Sequence, residues 1–434
     1  MLSALVLGYP VPTMHLWGQV FNSRDMVGGG VHMSTLFAIL HYLQDLGSDR
    51  DRDLVIVASG SDAWFQLPPD VLIQRYHRIN EQANKRIKRS MGKAADAEGI
   101  KQTILFTADE FCKPNSEEEP ACYAVPDSPL SQERYNTYTD RKNSNPEIQV
   151  SHVPPKYLQY SGVIVGPVKE MRALYRRAGK KSNAVGDKTD LQRIFNEIYG
   201  EQEYQRKVMA ARHSRMKSLT NWLRPEREKA RGLATDPTYR TMDDYRGKPL
   251  EFGIGLDYLG LISHPSAYAQ DDSAWVRYNS ADDLKNASQH LHVRPPRITA
   301  LPEDLVLARP PFFAFNAFEI DLLNSTWSDL PLLTNVRTGV VPAILYDNEM
   351  NGRTTRRYEW WRKMWFQPEL TPLIKANILP SKRPIAVDVD HPNGDIVWFD
   401  KETERRGART ESGDWIPWEE VCRGSYSQVF ETDD

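Results

Sequence analysis

The chain has 434 residues, 40% of them hydrophobic, with 55 Lys and Arg set against 58 Asp and Glu. That hydrophobic share excludes a disordered chain and is enough for a large core, and the near balance of charge gives no electrostatic footprint for nucleic acid. No apolar run approaches the roughly 20 residues that span a bilayer, so no transmembrane segment is expected.

In chain order, residues 2–7 read as a buried strand that stops at Gly8-Tyr9-Pro10. Their apolar run is too short, and lacks the basic flank, to be a signal peptide. Residues 35–46 carry helical spacing through Leu36, Ile39, Leu40, Leu43 and Leu46. Residues 53–58 form a continuous apolar run, which suits a strand covered on both faces. A helix over 71–88, a strand over 102–107, a strand over 162–166 and a helix over 168–178 follow. Alternation of this kind predicts an α/β fold with a mainly parallel sheet between helices. Residues 191–232 are helical in pattern, and their Lys and Arg content suits a solvated face or, as the other reading, a patch for a membrane surface or acidic partner. Residues 253–257 read as a late strand. The Pro-rich stretch over 294–311 marks a boundary, giving a first domain over 1–290 and an extension over 291–434. That extension is rich in Trp, including Trp360, Trp361, Trp365 and Trp398, which suit core packing or stacking on a sugar ring.

Three cysteines are too few for a disulfide framework. Cys112 and Cys122 lie ten apart in a Pro-rich loop, compatible with a local bridge or with two free thiols. Asn286-Ala287-Ser288 and Asn324-Ser325-Thr326 both fit the N-glycosylation sequon. Motifs for a serine-hydrolase elbow, a zincin, a Walker loop or a Rossmann dinucleotide turn are absent from the sequence.

The motif Val27-Gly28-Gly29-Gly30 precedes a helix, and Asp62 follows the apolar run over 53–58. Further on come Ile104-Leu105-Phe106-Thr107-Ala108-Asp109-Glu110-Phe111-Cys112, Tyr157-Leu158-Gln159-Tyr160-Ser161-Gly162, Asp190 with Tyr199 beyond it, and Leu256-Asp257. In this order they resemble the GT-A glycosyltransferase domain of the procollagen lysyl hydroxylases, over roughly residues 1–265. A set of fungal glycosyltransferase-like proteins is similar along more of the chain, sharing Trp64-Phe65-Gln66-Leu67-Pro68-Pro69, Ala121-Cys122-Tyr123-Ala124-Val125-Pro126 and Gly200-Glu201-Gln202-Glu203.

The resemblance implies a single Rossmann-type mixed sheet of the GT-A kind, a uridine-diphosphate sugar as donor and an acceptor that the residues do not name. It implies Mn²⁺ or Mg²⁺ at Asp62 and Asp257, since hard cations take carboxylate oxygens. Donor contacts fall at Tyr9, Gly28, Gly29, Gly30, His32 and Asp62, where side-chain-free backbone can approach phosphate; three glycines alone equally suit a flexible loop. Asp190 and Asp187 take the places near the transferred sugar, and each also suits a helix N-terminus. Relatives suggest the secretory pathway, without a signal or anchor in this chain. Departures are equally specific: Ser59 stands where the first metal-motif aspartate is expected, Tyr258 where a histidine is expected (with His264 nearby), Lys113 for a tryptophan, and Tyr160 as an inserted residue. These leave a second expectation open, a non-catalytic relative that keeps the fold as a binding or scaffold module.

Overall fold

The computed structural model describes residues 1–18, 30–60, 62–131, 154–185, 190–216, 250–265, 272–314, 323–347, 354–378, 384–388, 396–398 and 407–422. The protein is a mixed α/β fold. At its centre lies a four-stranded sheet of β2 (Leu54–Val57), β5 (Tyr157–Pro167), β4 (Ile104–Asp109) and β6 (Ile254–Asp257), in that order across the sheet. β5 is antiparallel to both β2 and β4, while β4 and β6 are parallel. Three of the four strands therefore run the same way, but only one pairing is parallel. The expectation of a mainly parallel sheet is corrected accordingly, because alternation of strands and helices does not show that β5 inserts between β2 and β4 with reversed direction.

Period-two alternation sends successive side chains of each central strand to opposite faces. Ile104, Phe106, Ala108, Ile164, Ile254 and Leu256 point to one core, shared with α2 (Gly30–Asp45), α6 (Val168–Val185) and α7 (Leu191–Met216). Leu105, Val163 and Val165 point to the other core. There they meet Leu67, Val71, Leu72, Tyr76 and Ile79, from the turn before α3 (Pro69–Met91) and from α3 itself, together with much of the last third of the chain. β2 is half-buried throughout rather than covered on both faces, as its place at the sheet edge requires.

Residues 2–7 form a helix, α1 (Leu2–Val6), not the expected strand. A short apolar run fits either state; here Ser3 Oγ accepts the Phe65 N–H at 3.0 Å and Asn377 Nδ2 donates to the Val6 carbonyl at 2.9 Å, so tertiary contacts fix the helix. It ends at Gly8, whose φ of 75° is costly for any other residue.

The segment beyond 290 is woven into what precedes it. A second sheet orders β3 (Ala63–Phe65), β10 (Ile344–Tyr346) and β7 (Ser263–Pro265), with β10 in the middle. β8 (Ser273–Val276) pairs with β9 (Leu332–Asn335), and β1 (Thr13–Met14) with β11 (Gly407–Thr410). Gln66, wholly buried, exchanges hydrogen bonds with Leu333 and donates to the Pro342 carbonyl. Trp365 Nε1 donates to the Gln66 carbonyl at 2.9 Å. Trp360 and Trp365 are buried in this core, as packing side chains.

Candidate functional site

Because β2, β4 and β6 run the same way, their carboxyl ends share one edge of the central sheet, where ligand crevices open in α/β folds. A cleft lies at that edge beside β4 and β6. Asp109 and Glu110 line it from the end of β4, Asp257 and Tyr258 from the end of β6, His264 from β7, and Asp272, Asn335 and Thr338 from the β8–β9 side.

Asp257 is 3% exposed and its carboxylate is fully engaged. Oδ1 accepts the Leu261 N–H at 3.0 Å, and Oδ2 accepts those of Ile262 at 2.6 Å and Ser263 at 3.3 Å. The carboxylate thus holds the turn between β6 and β7. Burial pushes its pKa up, an effect that these three N–H bonds and the charge of Arg75 only partly offset. The fully buried Arg75 on α3 clasps the same turn through the Leu261 carbonyl at 2.8 Å, and also reaches the Val341 carbonyl and Asp304.

Asp62 sits immediately before β3 and is not among the cleft-lining residues. Its Oδ2 accepts the Ser59 hydroxyl at 2.9 Å. Ligands of one cation must converge to about 2–2.6 Å from it. Among the described residues no group of three His, Cys, Asp or Glu converges in a way that could hold a metal ion. Asp62 and Asp257 therefore do not fit the divalent cation that the resemblance implies: the Asp257 carboxylate is committed to three N–H donors, and Asp62 does not line the cleft.

Asp190 is exposed and caps α7: its Oδ1 accepts the Gln192 N–H at 3.0 Å and its carbonyl the Ile194 N–H. Gln192 in turn ties the start of α7 to β5, donating to the Leu158 carbonyl and accepting the Tyr160 N–H. Leu158 pairs with Ala108 near the end of β4, so Asp190 lies toward the cleft's edge of the sheet without lining the cleft. Tyr9 is buried in the core, its hydroxyl donating to the Leu67 carbonyl at 3.0 Å and its ring set edge-on to Phe65; that position supports packing and not donor contact. Gly30 opens α2 and His32 follows in its first turn. Gly28, Gly29, Asp187 and the His32 side chain lie outside the described residues.

Asp109 and Glu110 lie inside a motif visible in the sequence, and their place at the end of β4 is the signal that could have singled them out. Burial pushes the Asp109 carboxyl above its usual range, against N–H bonds from Phe111 and Glu110 and the charge of Lys113. His264 Nε2 lies 2.8 Å from Ser273 Oγ. Asp272 is ion-paired with Arg337, which removes its charge from the balance of the cleft. Cys112 and Cys122, just beyond Glu110, form a disulfide with their Cα atoms 5.6 Å apart. Among the described residues no helix is long and apolar enough to cross a membrane. A scan against protein-family models gives no match to this chain, and a search of curated proteins gives none either. What fold and cleft define is a mixed α/β protein with an acidic crevice at the carboxyl ends of its central strands.

Proposed function

We propose that this protein is a glycosyltransferase that moves a hexose from a uridine-diphosphate sugar to an acceptor hydroxyl, and that it does so without a cation held by Asp257. The observation that carries this reading is the cleft where β4 and β6 end together, with Asp109 and Glu110 facing Asp257, Tyr258 and His264. Sugars are recognised by carboxylates and hydrogen-bonding side chains against partly apolar walls, and this lining supplies both. Asp109, whose carboxyl burial makes more basic than an ordinary one, is in its ionised form the group suited to take the acceptor proton. Asp257 would act through the turn it holds, which positions Tyr258 and His264, and not by touching substrate.

Calorimetric titration with UDP-glucose and UDP-galactose, paired with assays of donor hydrolysis, tests the reading. Binding that persists in EDTA is expected, with turnover lowered roughly 100-fold or more in Asp109→Asn while binding is kept. Absence of binding to either donor would remove the proposal. The alternative reading, a non-catalytic binding module, is favoured by the saturation of Asp257 and by Ser59 in place of a carboxylate. Binding of the donor with no turnover under any condition would decide for it.

A further inference from the structure

The two sequons of the chain fall in contrasting places. Asn286 lies in the middle of α8 (Ala281–His290), with Ala287 and Ser288 both turned inward and the Ser288 hydroxyl buried without a hydrogen-bond partner. Asn324 lies in a turn and is exposed, as is Thr326. The Asn324 carboxamide has no hydrogen-bond partner among the described residues. Just beyond it the backbone is firmly held. Thr326 caps the single helical turn Trp327–Asp329, with its N–H and hydroxyl both donating to Asp329 Oδ2, at 2.7 and 2.8 Å. Trp327 is 3% exposed, donates from Nε1 to the Arg309 carbonyl at 2.7 Å and packs edge-on against Trp365.

We propose that Asn324 is an N-glycosylation site of this protein and that Asn286 is not. A second observation, independent of the sequon, points the same way: the Cys112–Cys122 disulfide belongs to an oxidising compartment, which is where asparagine-linked glycans are added. In the transfer, Nδ2 of Asn324 bonds to the anomeric carbon of a lipid-linked oligosaccharyl diphosphate. The bond from that carbon to the diphosphate oxygen breaks, and the diphosphate leaves with the proton lost from the amide. A glycan at Asn324 would extend from an exposed turn anchored by Trp327, displacing no side-chain hydrogen bond of Asn324 among the described residues. At Asn286 the sequon's own serine is committed to the face of α8 that packs inward. The inference is independent of the catalytic reading above.

The protein purified from its native cells, treated with a peptide amidase that releases N-glycans in ¹⁸O-labelled water, is read by peptide mass spectrometry. Conversion of Asn324 to labelled Asp, with Asn286 unchanged, is expected. In the same cells, Asn324→Gln should abolish the mobility shift produced by the amidase, and Asn286→Gln should keep it. Unlabelled Asn324 overturns the proposal, as does label confined to Asn286 or found equally at both sites. Both variants replace exposed side chains, and the mass-spectrometric readout on the unaltered protein does not depend on their folding.

Discussion

Asp257 and Arg75 grip the same short turn from opposite sides, one through N–H groups and the other through a carbonyl. Replacing Asp257 with Ala leaves three N–H groups without their acceptor, two of them in buried hydrogen bonds. The cost is expected to be about 2–4 kcal/mol, because each unsatisfied buried donor costs on the order of 1–3 kcal/mol and part is recovered by relaxation. Urea denaturation would measure it, and added Mn²⁺ should leave the midpoint of the unaltered protein unchanged if the carboxylate is a turn anchor. Arg75→Met leaves the half-buried Asp304 with Arg78 as its remaining cation and the Leu261 and Val341 carbonyls without their donor, with an expected loss of about 1–3 kcal/mol. Burial pushes the Asp304 carboxyl up, but the guanidinium of Arg75, helped by Arg78, outweighs it and holds the pKa below the ordinary value. A depressed folded-state pKa contributes stability that is present above the unfolded value and lost as pH falls through the folded one. Stability of the unaltered protein should therefore decline below about pH 4, and Arg75→Met should lose that part of the decline.

At the scale of elements, two sequence motifs turn out to be one packed unit. Gly200 lies inside α7 where a Cβ would collide with the backbone of α5 (Pro120–Tyr123) at Ala121. Two residues on, Gln202 zips the side of β6, accepting the N–H groups of Phe252 and Ile254 and donating to the Ile254 carbonyl. The disulfide from Cys122 to Cys112 then ties α5 to the strand end that carries Asp109. Gly200→Ala should cost about 1–3 kcal/mol by overpacking, seen as a lower thermal midpoint. Reducing the disulfide, which closes a short loop, should lower stability by about 2–3 kcal/mol. Tyr160 falls in a bulge where β5 places residues 160–163 between the partners of Phe106 and Thr107. There its ring stacks on Phe195 at 4.5 Å, and Gly162 leaves room for the Thr107 side chain, whose Oγ1 accepts the Val163 N–H.

Over the whole molecule, long periodic segments were legible and short ones were not. α2, α3 and α6, with β4 and β6, follow from spacing because each buries a stripe or a face of its own. α1 and the three-residue strands β3, β7 and β10 carry too few residues for any period to show, and their state is decided by partners far along the chain, from 62 to 371 positions away for α1. The site divides in the same way. Asp257 was legible as a strand-end carboxylate, but its neighbours in space were not: Asp272, Asn335 and Thr338 reach the cleft through the β8–β9 pairing, which no local pattern announces. Asp190 was legible as a helix-start acid, and that is the role its hydrogen bonds fill.

The seat of β10 between β3 and β7 has a consequence for biosynthesis. A ribosome releases β3 and then β7 well before residue 344, so both emerge with open edges and no strand to separate them. A fragment ending at residue 290 should accordingly be recovered in aggregates, whereas the full chain should not, because unpaired edges attract other chains. The second sheet of the nascent protein can therefore close only after the last third of the chain has been made.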